Sequence, residues 1–126
     1  LDNRGVSVGR RLFVAWNDGG RLSLESALAV SADDEAPEDV TLLRDRPAAQ
    51  RSLAYVTRRG VEVVRLEGRA VAEKRRVYEV SSRGTAEGEA VLTGIAAGDF
   101  DGDGVDDLAL AELTNLVVLK GEAVLR

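Results

Sequence analysis

The residues with the greatest capacity for chemistry lie together in one stretch, Gly98 to Asp107, which reads GDFDGDGVDD. The stretch contains five aspartates and three glycines in ten residues. Asp99, Asp101 and Asp103 stand at alternate positions, and Asp107 follows shortly after them. Carboxylates packed this closely repel one another unless water or a cation screens their charge. The stretch is therefore either a solvated Asp-Gly turn or a cation site, and the spacing favours a cation.

Calcium fits the oxygen donors of this stretch better than other metals do. It takes roughly six to eight oxygen ligands in flexible geometry, whereas Mg²⁺ retains its waters and softer metals prefer nitrogen or sulfur. Alternate carboxylates on a curled loop can converge on one point, and Gly102 and Gly104 permit the curl. The predicted calcium ligands are Asp99, Asp101, Asp103, the backbone carbonyl of Val105, and Asp107.

Two further features narrow the class of calcium site. An EF-hand needs a bidentate Glu at the twelfth position of its loop, where this sequence has Leu110. The glycine-rich segment before the loop is also a poor helix. Asp106 does not occupy a predicted ligand position, and we expect it to face water.

Composition excludes several other kinds of chemistry. The chain has 126 residues without His or Cys, so zinc sites, thiol chemistry and imidazole catalysis are excluded within it. No nucleophile–base motif is present either, and we expect no enzyme active site here. The net charge of -5 argues against nucleic acid as a partner, and no apolar run is long enough to span a membrane. The absence of Met indicates a piece of a longer protein.

Short alternating segments separated by turns predict an all-β fold. Apolar segments recur in similar order after Leu12, Leu53 and Leu108, each followed by a polar turn and a second apolar segment. A further strand is predicted before each copy, at residues 6–8, 40–43 and 92–97. This repetition predicts units at residues 5–39, 40–90 and 91–126, each a four-stranded antiparallel sheet, with the last unit ending inside its fourth strand.

Charged segments elsewhere lead to three smaller predictions. Residues 73–76, Glu-Lys-Arg-Arg, are expected to protect an exposed sheet edge. The acidic linker at residues 33–39 is expected to be solvated. In the second unit, Arg44, Arg46 and Arg51 surround Asp45. One hypothesis is that arginine–carboxylate contacts hold that loop where calcium would otherwise do so; the alternative is that these are exposed surface charges.

The segment from Ile95 to Leu110, IAAGDFDGDGVDDLAL, resembles the FG-GAP/VCBS repeat of integrin-α-like β-propellers. In that family an apolar strand enters a Gly-Asp-Phe step, followed by the aspartate loop, Asp-Leu and a second apolar strand. The resemblance implies that the loop holds Ca²⁺ between the first two strands of a blade. It also implies that residues 1–126 form a single segment of about three blades, a partial β-propeller with an incomplete ring. The first two units lack the aspartate loop and would be blades without metal.

The resemblance also implies a role. The chain is expected to be a calcium-stabilised scaffold for extracellular binding, adhesion or protein–protein interaction, placed outside the cell, in the periplasm or at the cell surface. Its expected partners are a protein or further propeller blades, with carbohydrate as another candidate. Two alternatives remain open. In the first, the chain is the non-catalytic part of a carbohydrate- or phosphate-ester-active enzyme. In the second, it is a structural subunit of a larger complex.

Overall fold

A computed structural model describes residues 11–23, 25, 27–32, 35–44, 51–79, 92–112 and 115–125. These residues form an all-β structure, as predicted. The strands are β1 (Phe13–Val14), β2 (Asn17–Asp18), β3 (Arg21–Leu22), β4 (Leu28–Ala29), β5 (Asp39–Arg44), β6 (Arg51–Val56), β7 (Gly60–Glu67), β8 (Ala70–Glu79), β9 (Leu92–Gly98), β10 (Asp107–Glu112) and β11 (Asn115–Leu119). One helical turn, α1 (Gly121–Leu125), follows β11.

The middle sheet is a four-stranded antiparallel meander in the order β5-β6-β7-β8. Its strands lie where the alternating segments predicted them. Nearly every residue of β6 and β7 is buried, because neighbouring structure covers both faces of these two strands. The edge strand β8 is mostly exposed and carries the charged residues 73–76, as predicted.

The third sheet has three strands, in the order β11-β10-β9. The predicted fourth strand is wrong, because the chain turns into α1 immediately after Lys120. The turn begins at Gly121, whose N–H donates to the carboxylate of Asp107 at 2.6 Å. This hydrogen bond draws Gly121 inward against the backbone of Asp106, where a Cβ would lie 2.3 Å from the carbonyl oxygen. The inward turn stops a further antiparallel pairing.

The first unit is not a four-stranded sheet in its described residues. It contains two separate pairs of two-residue strands, β1 with β4 and β2 with β3. Asn17 and Asp18 have low strand propensity and form an exposed hairpin, which limits the ladder. The predicted strand at residues 6–8 lies outside the described residues.

Two apolar clusters cover opposite faces of the middle sheet. Ala54 and Val56 face the third sheet, whereas the alternating residues Leu53 and Tyr55 face the first unit. Full burial of a large apolar side chain contributes about 1.5–3 kcal/mol, so these clusters supply much of the packing energy. The three regions therefore stack in chain order around the middle sheet.

The first strands of the middle and third sheets, β5 and β9, lie side by side. At the start of β5 the carboxylate of Asp39 accepts the N–H of Ile95 at 3.1 Å. At its end Arg44 contacts Asp106, the residue before Asp107, which pairs with the last residue of β9. The two strands therefore run in the same direction along this seam. Within the described residues no sheet closes on itself, and the division at 5–39, 40–90 and 91–126 stays a prediction.

Candidate metal centre

The aspartate loop connects β9 to β10, and the structure brings three of its predicted ligands together. Asp99, Asp101 and Asp107 each offer a carboxylate oxygen, and these three oxygens lie within 4.8 Å of one another. All the donors in this group are carboxylate oxygens, the ligand type that calcium prefers. The donor set therefore fits the predicted ion.

Asp99 organises the backbone of the loop. Its Oδ1 accepts the N–H groups of Gly102 at 2.8 Å and Asp103 at 3.1 Å, and its Oδ2 accepts that of Gly104 at 2.8 Å. Gly102 and Gly104 have φ angles of 78° and 86°, which side chains disfavour, so the predicted need for glycine is confirmed. The N–H of Gly104 is the main cause that lowers the pKa of Asp99. The loop is thus curled around an ionised carboxylate.

Asp107 fixes both ends of the site. Its side chain is only 1% exposed, at the first position of β10. Oδ2 accepts the N–H of Phe100 at 3.0 Å, and Oδ1 accepts that of Gly121 at 2.6 Å. One buried carboxylate therefore holds the start of the loop and the start of α1 in fixed positions.

The environment of Asp101 disfavours its charged form. Desolvation raises its pKa, and the neighbouring carboxylates of Asp103 and Asp107 raise it further. The ammonium of Lys120 lies 3.9 Å from its Oδ2, which provides little compensation across this distance. A divalent cation between Asp99, Asp101 and Asp107 would relieve this repulsion directly.

The other two predicted ligands take different positions. Asp103 lies outside the group of three carboxylates, and its Oδ1 accepts the N–H of Val105 at 2.9 Å. The side chain of Val105 is buried at the end of the loop, beside Gly121. The ligand roles of the Asp103 carboxylate and the Val105 carbonyl stay predictions.

The prediction that Asp106 faces water is wrong. Asp106 is 4% exposed, and its carboxylate accepts the backbone N–H of Arg44 at 2.8 Å. The guanidinium of Arg44 also pairs with it, with Nη2 and Oδ1 3.1 Å apart. Arg44 therefore does bind a carboxylate, but one from the third sheet; Asp45 and Arg46 lie outside the described residues. Sequence spacing gives no signal for this pair, because 62 residues separate its members.

The acidic linker is also less solvated than predicted. Glu35 accepts hydrogen bonds from Tyr55 Oη at 2.8 Å, Lys74 Nζ at 2.5 Å and the N–H of Ala32 at 2.6 Å. Burial alone would raise the pKa of Glu35, but these hydrogen bonds outweigh it and the pKa is lowered. Asp33 and Asp34 lie outside the described residues, so the correction applies to Glu35 and to Asp39 on the β5–β9 seam.

Comparisons with known proteins return no match: no protein-family model, curated protein or solved structure matches the chain. Among the helices of the described residues, none is both long and apolar enough to cross a membrane. The geometry of the loop is therefore the main guide to function.

Proposed function

We propose that this chain is a calcium-stabilised segment of a β-propeller that serves as a binding scaffold. The observation that carries the proposal is the convergence of Asp99, Asp101 and Asp107 within 4.8 Å, in a loop already shaped by backbone hydrogen bonds. The Asp103 carboxylate and the Val105 carbonyl would complete the protein ligands. Calcium would neutralise the loop and hold the β9–β10 connection closed.

Packing of the middle sheet supports the propeller interpretation. Propeller blades are four-stranded sheets arranged around an axis, so an interior blade has neighbours on both faces. The middle sheet has four strands and apolar clusters on both faces. The side-by-side contact of β5 and β9 places equivalent strands of two units next to each other, as neighbouring blades require.

An open face on the third sheet supports an interaction role. Leu116 is 72% exposed and Val118 is 50% exposed on β11. Ala111 and Ala109 of β10 pair with these residues and extend the surface toward β9. Exposed apolar patches often mark interaction sites, so we propose a protein partner or further blades at this face. Exported proteins meet high calcium concentrations, and an extracytoplasmic location follows from the proposal.

Thermal unfolding with calcium and with chelator tests the proposed function. Free calcium about a hundredfold above its dissociation constant should stabilise the wild type by about 2.7 kcal/mol. Asp101→Asn should remove most of this calcium-dependent shift, because it loses a charged ligand but can still accept the N–H of Asp103. Glu67→Gln is the matched control, since Glu67 is an exposed carboxylate paired with Arg65 in the middle sheet. Equal melting temperatures for the wild type with calcium and with chelator would contradict the proposal.

A further inference from the structure

Among the described residues, two polar contacts connect the middle and third sheets along the β5–β9 seam. At one end Asp39 accepts the N–H of Ile95. At the other end two hydrogen bonds join Asp106 and Arg44: the N–H of Arg44 donates to the side-chain Oδ2 of Asp106 at 2.8 Å, and the N–H of Asp106 donates to the backbone carbonyl of Arg44 at 3.1 Å. Only the second contact involves a residue of the aspartate loop.

Asp106 and Asp107 together join three parts of the molecule. Asp106 holds the end of β5 in the neighbouring sheet. Asp107 holds Phe100 at the start of the loop and Gly121 at the start of α1. The helical turn α1 is itself packed between the two sheets, because its Val124 is buried in the core there. A change in the order of the loop would therefore change the contact between the two sheets at the β5–β9 seam.

We propose that the Asp106–Arg44 contact couples calcium binding in the aspartate loop to the packing of the third sheet on the middle sheet. This inference rests on the proposed calcium site. Asp106 is a positioning residue: it directs its carboxylate to Arg44 and, through the adjacent peptide, fixes the backbone that carries Asp107. The contact pre-orders the end of the loop, so less conformational entropy remains to be lost when the cation binds.

Coupling of this kind is reciprocal. If the Asp106–Arg44 contact strengthens calcium binding, calcium must strengthen the contact by the same factor. The amide hydrogen of Arg44 reports the contact directly, because it is donated to the carboxylate of Asp106. Calcium should therefore slow the hydrogen exchange of an amide on the neighbouring sheet, outside the loop.

Calcium titration calorimetry of four proteins tests the coupling: wild type, Asp106→Ala, Arg44→Ala and Asp39→Ala. Loss of a group that orients metal ligands weakens affinity by about tenfold or more, and we expect about tenfold for Asp106→Ala. Arg44→Ala keeps its backbone N–H and should weaken affinity less, with partial recovery in Arg44→Lys. Asp39→Ala is the matched control, because it removes the other seam contact and should leave calcium affinity unchanged.

Hydrogen exchange at the Arg44 amide completes the test. Calcium should slow exchange there in the wild type and slow it less in Arg44→Ala, which retains the backbone N–H and remains measurable even if Asp106→Ala fails to fold. Unchanged calcium affinity in both Asp106→Ala and Arg44→Ala contradicts the coupling alone. An equal loss in Asp39→Ala also contradicts it, because the effect would then be general loosening of the seam. Absence of calcium binding to the wild type instead contradicts the calcium site itself.

Discussion

The first three strands of the middle sheet and those of the third sheet have the same antiparallel arrangement, but different interactions stabilise the two sheets. The middle sheet has a four-stranded ladder and large apolar side chains on both faces, with Val56 and Val61 on one and Leu53 and Tyr55 on the other. The third sheet has apolar cover on one face, exposed Leu116 and Val118 beside alanines on the other, and a helical turn instead of a fourth strand. Its connections depend on buried carboxylates. Where apolar burial is one-sided, polar contacts contribute a larger share of the stability, and the proposed calcium ion would add to that share.

The largest expected effect comes from removing the central carboxylate of the third sheet. Asp107→Ala leaves the N–H groups of Phe100 and Gly121 without their partner, and each buried unsatisfied donor costs about 1–3 kcal/mol. We expect a loss of about 2–6 kcal/mol in the free energy of unfolding, together with loss of the calcium response. Urea unfolding measures the first and repetition with calcium the second. A loss below about 1 kcal/mol would show that polar contacts do not dominate this sheet.

A smaller effect is expected from a polar contact in the middle sheet. Tyr55→Phe removes the hydroxyl that donates to Glu35 but keeps the buried ring. We expect a loss of about 1 kcal/mol, because Glu35 keeps its hydrogen bonds from Lys74 and Ala32. The loss should be the same with calcium and with chelator, as measured by urea unfolding. A loss of stability in Tyr55→Phe that depends on calcium would contradict the claim that the middle sheet is stabilised independently of the loop.

The smallest expected effect is a gain in stability rather than a loss, and it concerns the aspartate loop without calcium. Folding raises the pKa of Asp101 from 3.8, so its contribution to stability is greatest below that pH and is lost as the pH rises through the folded-state pKa. Asp101→Asn should therefore raise the melting temperature in chelator at neutral pH. The gain should shrink as the pH approaches 3.8. A lower melting temperature than wild type in neutral chelator would contradict the proposed repulsion.

Acid should remove the contribution of Asp99 to stability. Folding lowers its pKa from 3.8, so its contribution is present above that pH and is lost as the pH falls through the lowered folded-state pKa. The pKa of Asp99 is lowered because its carboxylate accepts backbone N–H groups of the loop. The pKa of Asp101 is raised, so Asp101 is the carboxylate that a cation would relieve.

Sequence predicted those features that depend on nearby residues. Alternation located β7, because side-chain direction in a strand follows a period of two, and the repeated apolar segments located β6 and β10. Aspartate spacing found Asp99, Asp101 and Asp107, because all three belong to one short loop. The helical turn α1 was missed, since it depends on a hydrogen bond from Gly121 to a residue 14 positions earlier.

The pairing of Asp106 with Arg44 was missed for a similar reason. Its members lie 62 residues apart and meet only after two sheets have packed. Composition marks both residues as charged and therefore favours an exposed position for each. Only the tertiary structure shows that the Asp106 carboxylate is buried at a seam.

A crystal structure grown with calcium, with anomalous difference density measured, tests the central claim most directly. The account predicts one strong peak in the loop at about 2.3–2.6 Å from carboxylate oxygens of Asp99, Asp101 and Asp107. The peak should be much weaker in crystals of Asp101→Asn grown in the same solution. Wild-type crystals with no peak in the loop, at a calcium concentration that saturates ordinary sites, would contradict the account.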